Sequence, residues 1–220
     1  QADLNHDCWG DRVEDLKPVV NPDNSDSATL DNVLELLVRS GRSPLEGLMV
    51  MVPEAYQNQP ELDNDPEIVD FYEYYSSVQE PWDGPALLVF SDGRQVGACL
   101  DRNGLRPARY ALTKSGLVVV ASEAGVVELP AEEVVEKGRL GPGQMVAVDL
   151  EKNLFLKNWE IKRRVASAQP YGDWVKQNRV SLEVQPIESQ RWLDGDRLVQ
   201  HQTAFGYTSE DVEMIVTPMA

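Results

Sequence analysis

One carboxylate in this chain stands where a ligand could meet it. In the stretch NSDSATLDNVLELL, Asp26 lies between Ser25 and Ser27, just ahead of apolar residues at helical spacing. An aspartate there can cap the helix, because Asp ranks among the best acceptors for its first free N–H groups. It can also hold a cation at a pocket mouth, since carboxylate and ammonium form a charge-assisted pair. The pattern alone favours the cap. The densest charged segment is DRNGLRPARY, residues 101 to 110, in which Arg102, Arg106 and Arg109 surround an Asn-Gly turn signature. Its plain reading is structural: the arginines pair with nearby carboxylates and hold a hairpin onto its neighbours.

Other reactive constellations are weak. His6 and His201, the only histidines, stand far apart without metal-ligand spacing, which disfavours zinc catalysis and a Ser-His-Asp triad. No phosphate-binding glycine pattern occurs; the two glycines of RLGPGQM, with Pro142 between them, suit a tight turn. Cys8 and Cys99 are too few for a disulfide framework, an iron–sulfur cluster or a zinc site, and read as reduced thiols. The acidic turn at Asp194 reads as surface. Met49, Met51, Phe71, Tyr72, Tyr74 and Tyr75 read as core and helix-packing residues.

A chain of 220 residues with 42% hydrophobic content can bury a core as one domain, or one plus part of another. The net charge of -17 is concentrated early: residues 1 to 80 hold 18 acidic and 4 basic side chains, residues 81 to 169 hold 11 and 12. Such a surface repels phosphate backbones and anionic lipid, so neither nucleic acid nor membrane is an expected partner. No run approaches the roughly 20 apolar residues of a membrane helix. A cytoplasmic location is expected, and the opening at Gln1 rather than Met points to a fragment.

Residues around Asp26 must be positioned by helices. Leu30, Val33, Leu34 and Leu37 form one stripe closed by Gly41; Ser43 and Pro44 open a second helix; Asp65 and Pro66 open a third, carrying Ile68, Phe71, Tyr72 and Tyr75. A short helix and loop precede them. From Trp82 the period changes. The runs PALLVF, QVGACL, RPARYALT and LVVVAS, split by SDGR, DRNG and KSG, predict an antiparallel meander. PAEEVVEKG reads as an acidic helix or turn, and GQMVAVDL and LFLKNWEI as two further strands. Beyond 170 follow a helix-like YGDWVKQNRV, an extended stretch through Pro186 and an amphipathic piece near Ser209 to Ile215. Helices followed by a block of strands predict an α+β fold.

The segments SDSATLDNVLELL, EAYQNQP, DFYEYYSSVQEPWDGPALLVFSDG, DRNGLRPARY, ASEAGVV and VEKGRLGPGQMVAVDL, in this order, resemble the large chain of the glutamate synthases. The resemblance is to the C-terminal part of their class II glutamine amidotransferase domain, leaning to the ferredoxin-dependent type on EPWDGPALLVFSDG. The tail HQTAFGYTSEDVEMIVTPMA is similar to the start of the central domain that follows.

This resemblance implies an α+β, four-layer αββα fold of the N-terminal-nucleophile hydrolase type, part of a domain over 1–170, with a linker and the central domain's start over 171–220. The family hydrolyses glutamine and channels the ammonia to 2-oxoglutarate, forming two glutamates at the expense of reducing equivalents. Its nucleophile is an N-terminal cysteine whose own α-amino group, of pKa ~8, serves as base. Gln1 stands at that end here and Cys8 has no free amine, so no catalytic residue is expected in this chain, and inactivity alone is expected. The oxyanion-hole residues also belong upstream. By the resemblance Asp26 receives the α-ammonium of glutamine, with Ser25 and Ser27 setting the turn. No cofactor is implied for this stretch; FMN and an iron–sulfur cluster are implied for the full-length enzyme. The implied partners are glutamine, the rest of the polypeptide, and ferredoxin or an NAD(P)H-linked subunit, in the cytoplasm or a plastid stroma. The alternative is a binding or regulatory module that keeps the scaffold without the nucleophile.

Overall fold

The computed structural model describes residues 9–181, 193 and 195–219. Leu4, His6, Cys8, the stretch around Pro186 and Asp194 lie outside them. The chain divides into a compact unit ending at Arg179 and a second beginning at Val180.

The described part of the first unit opens with a 3-10 helix over Gly10–Leu16, then three α-helices whose punctuation the sequence already carries. Helix α1 (Asp26–Arg39) ends where Gly41 takes a φ of 98°, a left-handed conformation open to glycine. Helix α2 (Pro44–Met51) starts with Ser43, whose side chain accepts the Glu46 N–H at 3.1 Å, and with proline at its first position, where no N–H is needed. Helix α3 (Pro66–Ser76) also has proline at its first position, but Asp65 before it makes no side-chain cap, its carboxylate being bonded to Arg163, and the helix buries Ile68, Phe71, Tyr72 and Tyr75.

Seven strands follow: β1 (Leu87–Ser91), β2 (Gln95–Leu100), β3 (Arg109–Thr113), β4 (Val118–Ala121), β5 (Val134–Arg139), β6 (Met145–Asp149) and β7 (Leu154–Leu156). They do not form one meander. A four-stranded sheet has the order β1-β2-β6-β7, a three-stranded sheet the order β4-β3-β5, and every pairing is antiparallel. β6 occupies the free edge of β2, Cys99 opposite Met145, so β3 cannot pair there and the chain crosses to the second sheet. DRNGLRPA is therefore an inter-sheet connection, not a hairpin turn. PAEEVVEKG resolves into a 3-10 turn at Ala131–Glu133 and strand β5.

LFLKNWEI is likewise only half strand. β7 stops at Leu156, and Glu160 accepts the Lys157 N–H at 3.0 Å, which starts helix α4 (Asn158–Ala166). A carboxylate three residues into a helix, satisfying the first free donor, outweighs the β preference of the preceding residues. Helix α5 (Tyr171–Asn178) then docks on α3, its Tyr171 ring 5.1 Å from Phe71 and Trp174 5.3 Å from Tyr74.

Two apolar clusters result. One joins the helices to the four-stranded sheet, through Leu48, Met49, Ile68, Phe71 and Ile161 against Cys99, Met145, Ala147 and Leu156. The other fills the space between the sheets, with Leu100, Ala108, Leu140 and Val146 packed by Leu87, Tyr110, Val120 and Phe155. Alternation along β2 sends Cys99 to one cluster and Leu100 to the other. Met49, Met51, Phe71, Tyr72 and Tyr75 are buried, as core residues should be. Emptying the fully buried Phe71 site to alanine costs about 3–5 kcal/mol.

The second unit contains helix α6 (Gly195–Ala204) and helical turns Ser209–Asp211, Val212–Val216 and Thr217–Met219. Thr208 caps the first of these turns, accepting the Asp211 N–H at 3.1 Å. Among the described residues no helix is long and apolar enough to cross a membrane.

Candidate functional site

Asp26 is the first residue of α1, and Ser25, not Asp26, is its cap. Ser25 has extended backbone (φ -68°, ψ 159°), and its Oγ accepts the Ala28 N–H at 3.3 Å. A cap must stand one residue before the helix with its side chain folded over the first turn, and only Ser25 meets that condition. Ser27 Oγ lies 3.2 Å from Ser25 Oγ, so the two hydroxyls settle the turn between them. The Asp26 carboxylate is exposed and has no hydrogen bond or ion pair among the described residues. Its backbone is held instead: the Asp26 carbonyl accepts the Trp82 indole N–H at 3.2 Å.

Trp82 heads the strap that leads into β1. Its backbone N–H donates to the Met51 carbonyl at 2.7 Å, and its ring packs against the main cluster. Next to it, Asp83 Oδ1 accepts from Asn103 Nδ2 at 2.8 Å, which joins the strap to the DRNG connection.

That connection is organised by Asp101, which has no solvent exposure. Its carboxylate accepts the backbone N–H groups of Asn103 and Leu105 at 3.1 Å and of Arg106 at 3.3 Å, and its carbonyl accepts those of Gly104 and Gly143 at 3.0 Å. The arginines do not do this work. None of Arg102, Arg106 and Arg109 forms an ion pair among the described residues, and they diverge. Arg102 lines a cavity of about 330 Å³ with Glu54, Tyr56 and Tyr72. Arg106 Nε approaches the Pro85 carbonyl at 3.5 Å. Arg109 lines a cavity of about 690 Å³ on the outer face of the three-stranded sheet, with Ala111, Val119 and Lys137. The expectation that they pair with carboxylates fails because Asp101 already satisfies the loop from inside.

Beneath the smaller cavity lies a polar group that strand-like reading of this region concealed. Lys162 of α4, fully buried, pairs with Glu54 and donates to the Gly143 carbonyl at 3.1 Å. Its ammonium lies 5.6 Å from the Trp159 ring centre and 5.9 Å from that of Tyr72. Burial pushes the lysine pKa down, against the pull of the Glu54 charge. Burial also raises the neighbouring Cys99 thiol to about 12 and the Tyr72 phenol well above its ordinary value. A lysine on the same helical stripe as Trp159, Ile161 and Val165 was the available sign. For Asp101 the sign was an aspartate two residues before the N–H it accepts, the Asx-turn pattern.

Among the described residues no group of three or more His, Cys, Asp or Glu could hold a metal ion. His201 is exposed on α6.

Residues 1–174 match the family of class-II glutamine amidotransferases. The chain is 60% identical over 209 residues to ferredoxin-dependent glutamate synthase 2 of Synechocystis sp., a match covering 94% of this chain and 13% of the relative. It is 56% identical over 217 residues to the ferredoxin-dependent glutamate synthase of Pyropia yezoensis, covering 99% and 14%. To the chloroplastic ferredoxin-dependent glutamate synthase of Oryza sativa subsp. japonica it is 52% identical over 221 residues, covering 100% and 14%. The chain thus spans about one seventh of the length of these curated relatives. Two antiparallel sheets with helices against one of them, and a match that runs from the first residue into α5, lead to one statement: this chain belongs to the class-II glutamine amidotransferase family.

Proposed function

We propose that this chain is the C-terminal part of the glutaminase domain of a ferredoxin-dependent glutamate synthase, and that Asp26 binds the α-ammonium of glutamine there. The whole protein then hydrolyses glutamine and delivers the ammonia to 2-oxoglutarate, with ferredoxin as the electron source. The nucleophile and oxyanion donors lie upstream, so this chain contributes substrate recognition and not bond cleavage. Residues 1–170 belong to that domain, and 171–220 to a linker and the start of the next. The upstream part completes a four-layer αββα arrangement, of which this chain supplies one helical layer and strands of both sheets.

The observation that carries the site is the division of labour at the start of α1. Ser25 satisfies the helix, which leaves the Asp26 carboxylate exposed and, among the described residues, without a partner. The helix's first N–H groups favour negative charge at this place and so suit an anion that waits for a cation. A closed site with this carboxylate rejects amides that lack the ammonium, because the charge would be left unpaired.

The residues here do not fit an iron–sulfur cluster. Such a cluster takes about four thiolates, whereas the chain has two cysteines and Cys99 is enclosed in the core. We place FMN and the cluster in parts of the protein outside this chain, and no step at Asp26 runs through either.

The test is glutaminase kinetics of the full-length protein with Asp26→Ala. Loss of the counter-charge raises the glutamine KM by about 10- to 100-fold. Unchanged kinetics reject the role.

A further inference from the structure

We infer that Trp82 is the positioning residue for Asp26: its indole N–H, bonded to the Asp26 carbonyl, fixes the direction in which the carboxylate meets the substrate's ammonium. This rests on the proposed role of Asp26.

The Asp26 side chain has no bond of its own among the described residues, so only its backbone can set its aim. Two contacts fix that backbone from different sides. Ser25 holds the first turn along the helix axis through the Ala28 N–H. Trp82 reaches the Asp26 carbonyl across 56 residues of sequence, at 3.2 Å. A carbonyl has two lone pairs, so this bond adds to the helix's own hydrogen bonding.

The indole is itself held, as a positioning group must be. Its backbone N–H is bonded to Met51 at the end of α2, its ring lies against the main cluster, and Asp83 beside it is tied to Asn103. Gly84 makes room: a Cβ there would come within 2.6 Å of Trp82 Cη2. Asp101 fixes the Asn103 loop from its buried side. α1 and the end of α2 therefore meet at one tryptophan, and the DRNG connection is tied to the residue after it. Its N–H is the essential feature, which phenylalanine, a smaller aromatic ring with no donor, cannot supply.

The experiment compares glutamine with glutaramate, which has the same amide and carboxylate but no α-ammonium, as substrates of the full-length protein. Trp82→Phe is expected to raise the glutamine KM about three- to tenfold, the range of one lost hydrogen bond. The glutaramate KM should stay within about twofold, since that ligand makes no use of the Asp26 charge. Gly84→Ala, which displaces the ring by bulk while keeping the N–H, is an independent second variant and should give the same selective rise. In an Asp26→Asn background, Trp82→Phe should add nothing. An equal rise for both substrates in both variants assigns Trp82 a general structural role and overturns the inference. If Asp26→Asn weakens glutamine selectively and neither Trp82→Phe nor Gly84→Ala does, the inference falls and the reading of Asp26 stands. If Asp26→Asn is itself without effect, both fall.

Discussion

Lys162 and Glu54 form an ion pair across 108 residues of sequence, with the lysine side chain at 0% exposure and the glutamate at 16%. The pair binds α4 to the segment after α2, and through the Gly143 carbonyl to the turn before β6. Gly143 is required there: its φ is +62°, and a Cβ would come within 2.8 Å of Glu54 Cα. Removing one partner of a buried pair leaves the other charge uncompensated. Lys162→Met is therefore expected to destabilise the first unit by about 3 kcal/mol, the lower end of the range because Glu54 keeps some solvent. Lys162→Met combined with Glu54→Leu should recover most of the loss. Urea unfolding followed by tryptophan fluorescence measures both; a neutral single substitution would contradict the pair's structural role.

Asp101 supplies the second prediction. Three backbone N–H groups converge on its two oxygens in a site without solvent. Asp101→Asn keeps the size but exchanges one acceptor for an NH2 group facing those donors. The cost is about 2–3 kcal/mol, as for losing bonds to a buried charge. The loop carrying Arg102 should then open before the rest of the unit, and limited trypsin digestion should gain a cut after Arg102; Arg106 precedes Pro107 and is no trypsin site. If the variant resists trypsin as the parent does, Asp101 is not what orders the connection.

What the sequence made legible was local. Ser43-Pro44, Asp65-Pro66 and Gly41 mark helix boundaries because caps and breakers act within a turn of where they stand. The strands β1 to β4 were readable from their β-branched runs, but their division into two sheets was not. Whether β2 pairs next with β3 or with β6 is decided by register and packing between residues as distant as Cys99 and Met145. Of the site, Asp26 and its serines could be read, and the assignment of the cap to Ser25 is a one-residue matter of backbone angle. Trp82 could not: its bond to Asp26 joins two segments with no pattern in common. Lys162 was hidden for another reason, since the run KRR looks like a solvated basic face until the helix phase puts its first member inside.

Acid stability should report the Asp65–Arg163 clamp between α3 and α4, a two-point contact with Nε–Oδ1 at 2.5 Å and a second N–O distance of 2.8 Å. The hydrogen bonds from Arg163 lower the Asp65 pKa. A carboxyl with a depressed folded pKa stabilises the fold fully above the unfolded value, ~3.9, and loses that contribution as pH falls through the folded value. Asp65→Asn should thus be less stable than the parent at pH 7, and the difference should shrink as the pH is taken below about 4. The effect is modest, because Arg163 is more than half exposed and water and salt screen the pair. Thermal unfolding at pH 7 and pH 3 measures it; a constant difference at both would remove the ion pair as its cause.

Cys99 provides a clock for opening of the same core. Its thiol has no exposure, and burial raises its pKa to about 12, with the Lys162 charge opposing and those of Glu54 and Asp101 adding. At pH 8 only about one thiol in ten thousand would be ionised in place. In this 220-residue chain with Cys8→Ser, where Cys99 is the one remaining thiol, Ellman's reagent should therefore leave it unmodified under native conditions and react at once in guanidinium. Slow native labelling must pass through opening of the unit, so its rate follows the open population. Lys162→Met pushes the thiol pKa in the unreactive direction by removing a nearby positive charge, yet it should label about a hundredfold faster, because about 3 kcal/mol of lost stability raises the open population by that factor. Slower labelling in that variant would mean that Cys99 reacts from the closed state and that its rate reports local ionisation instead of unfolding.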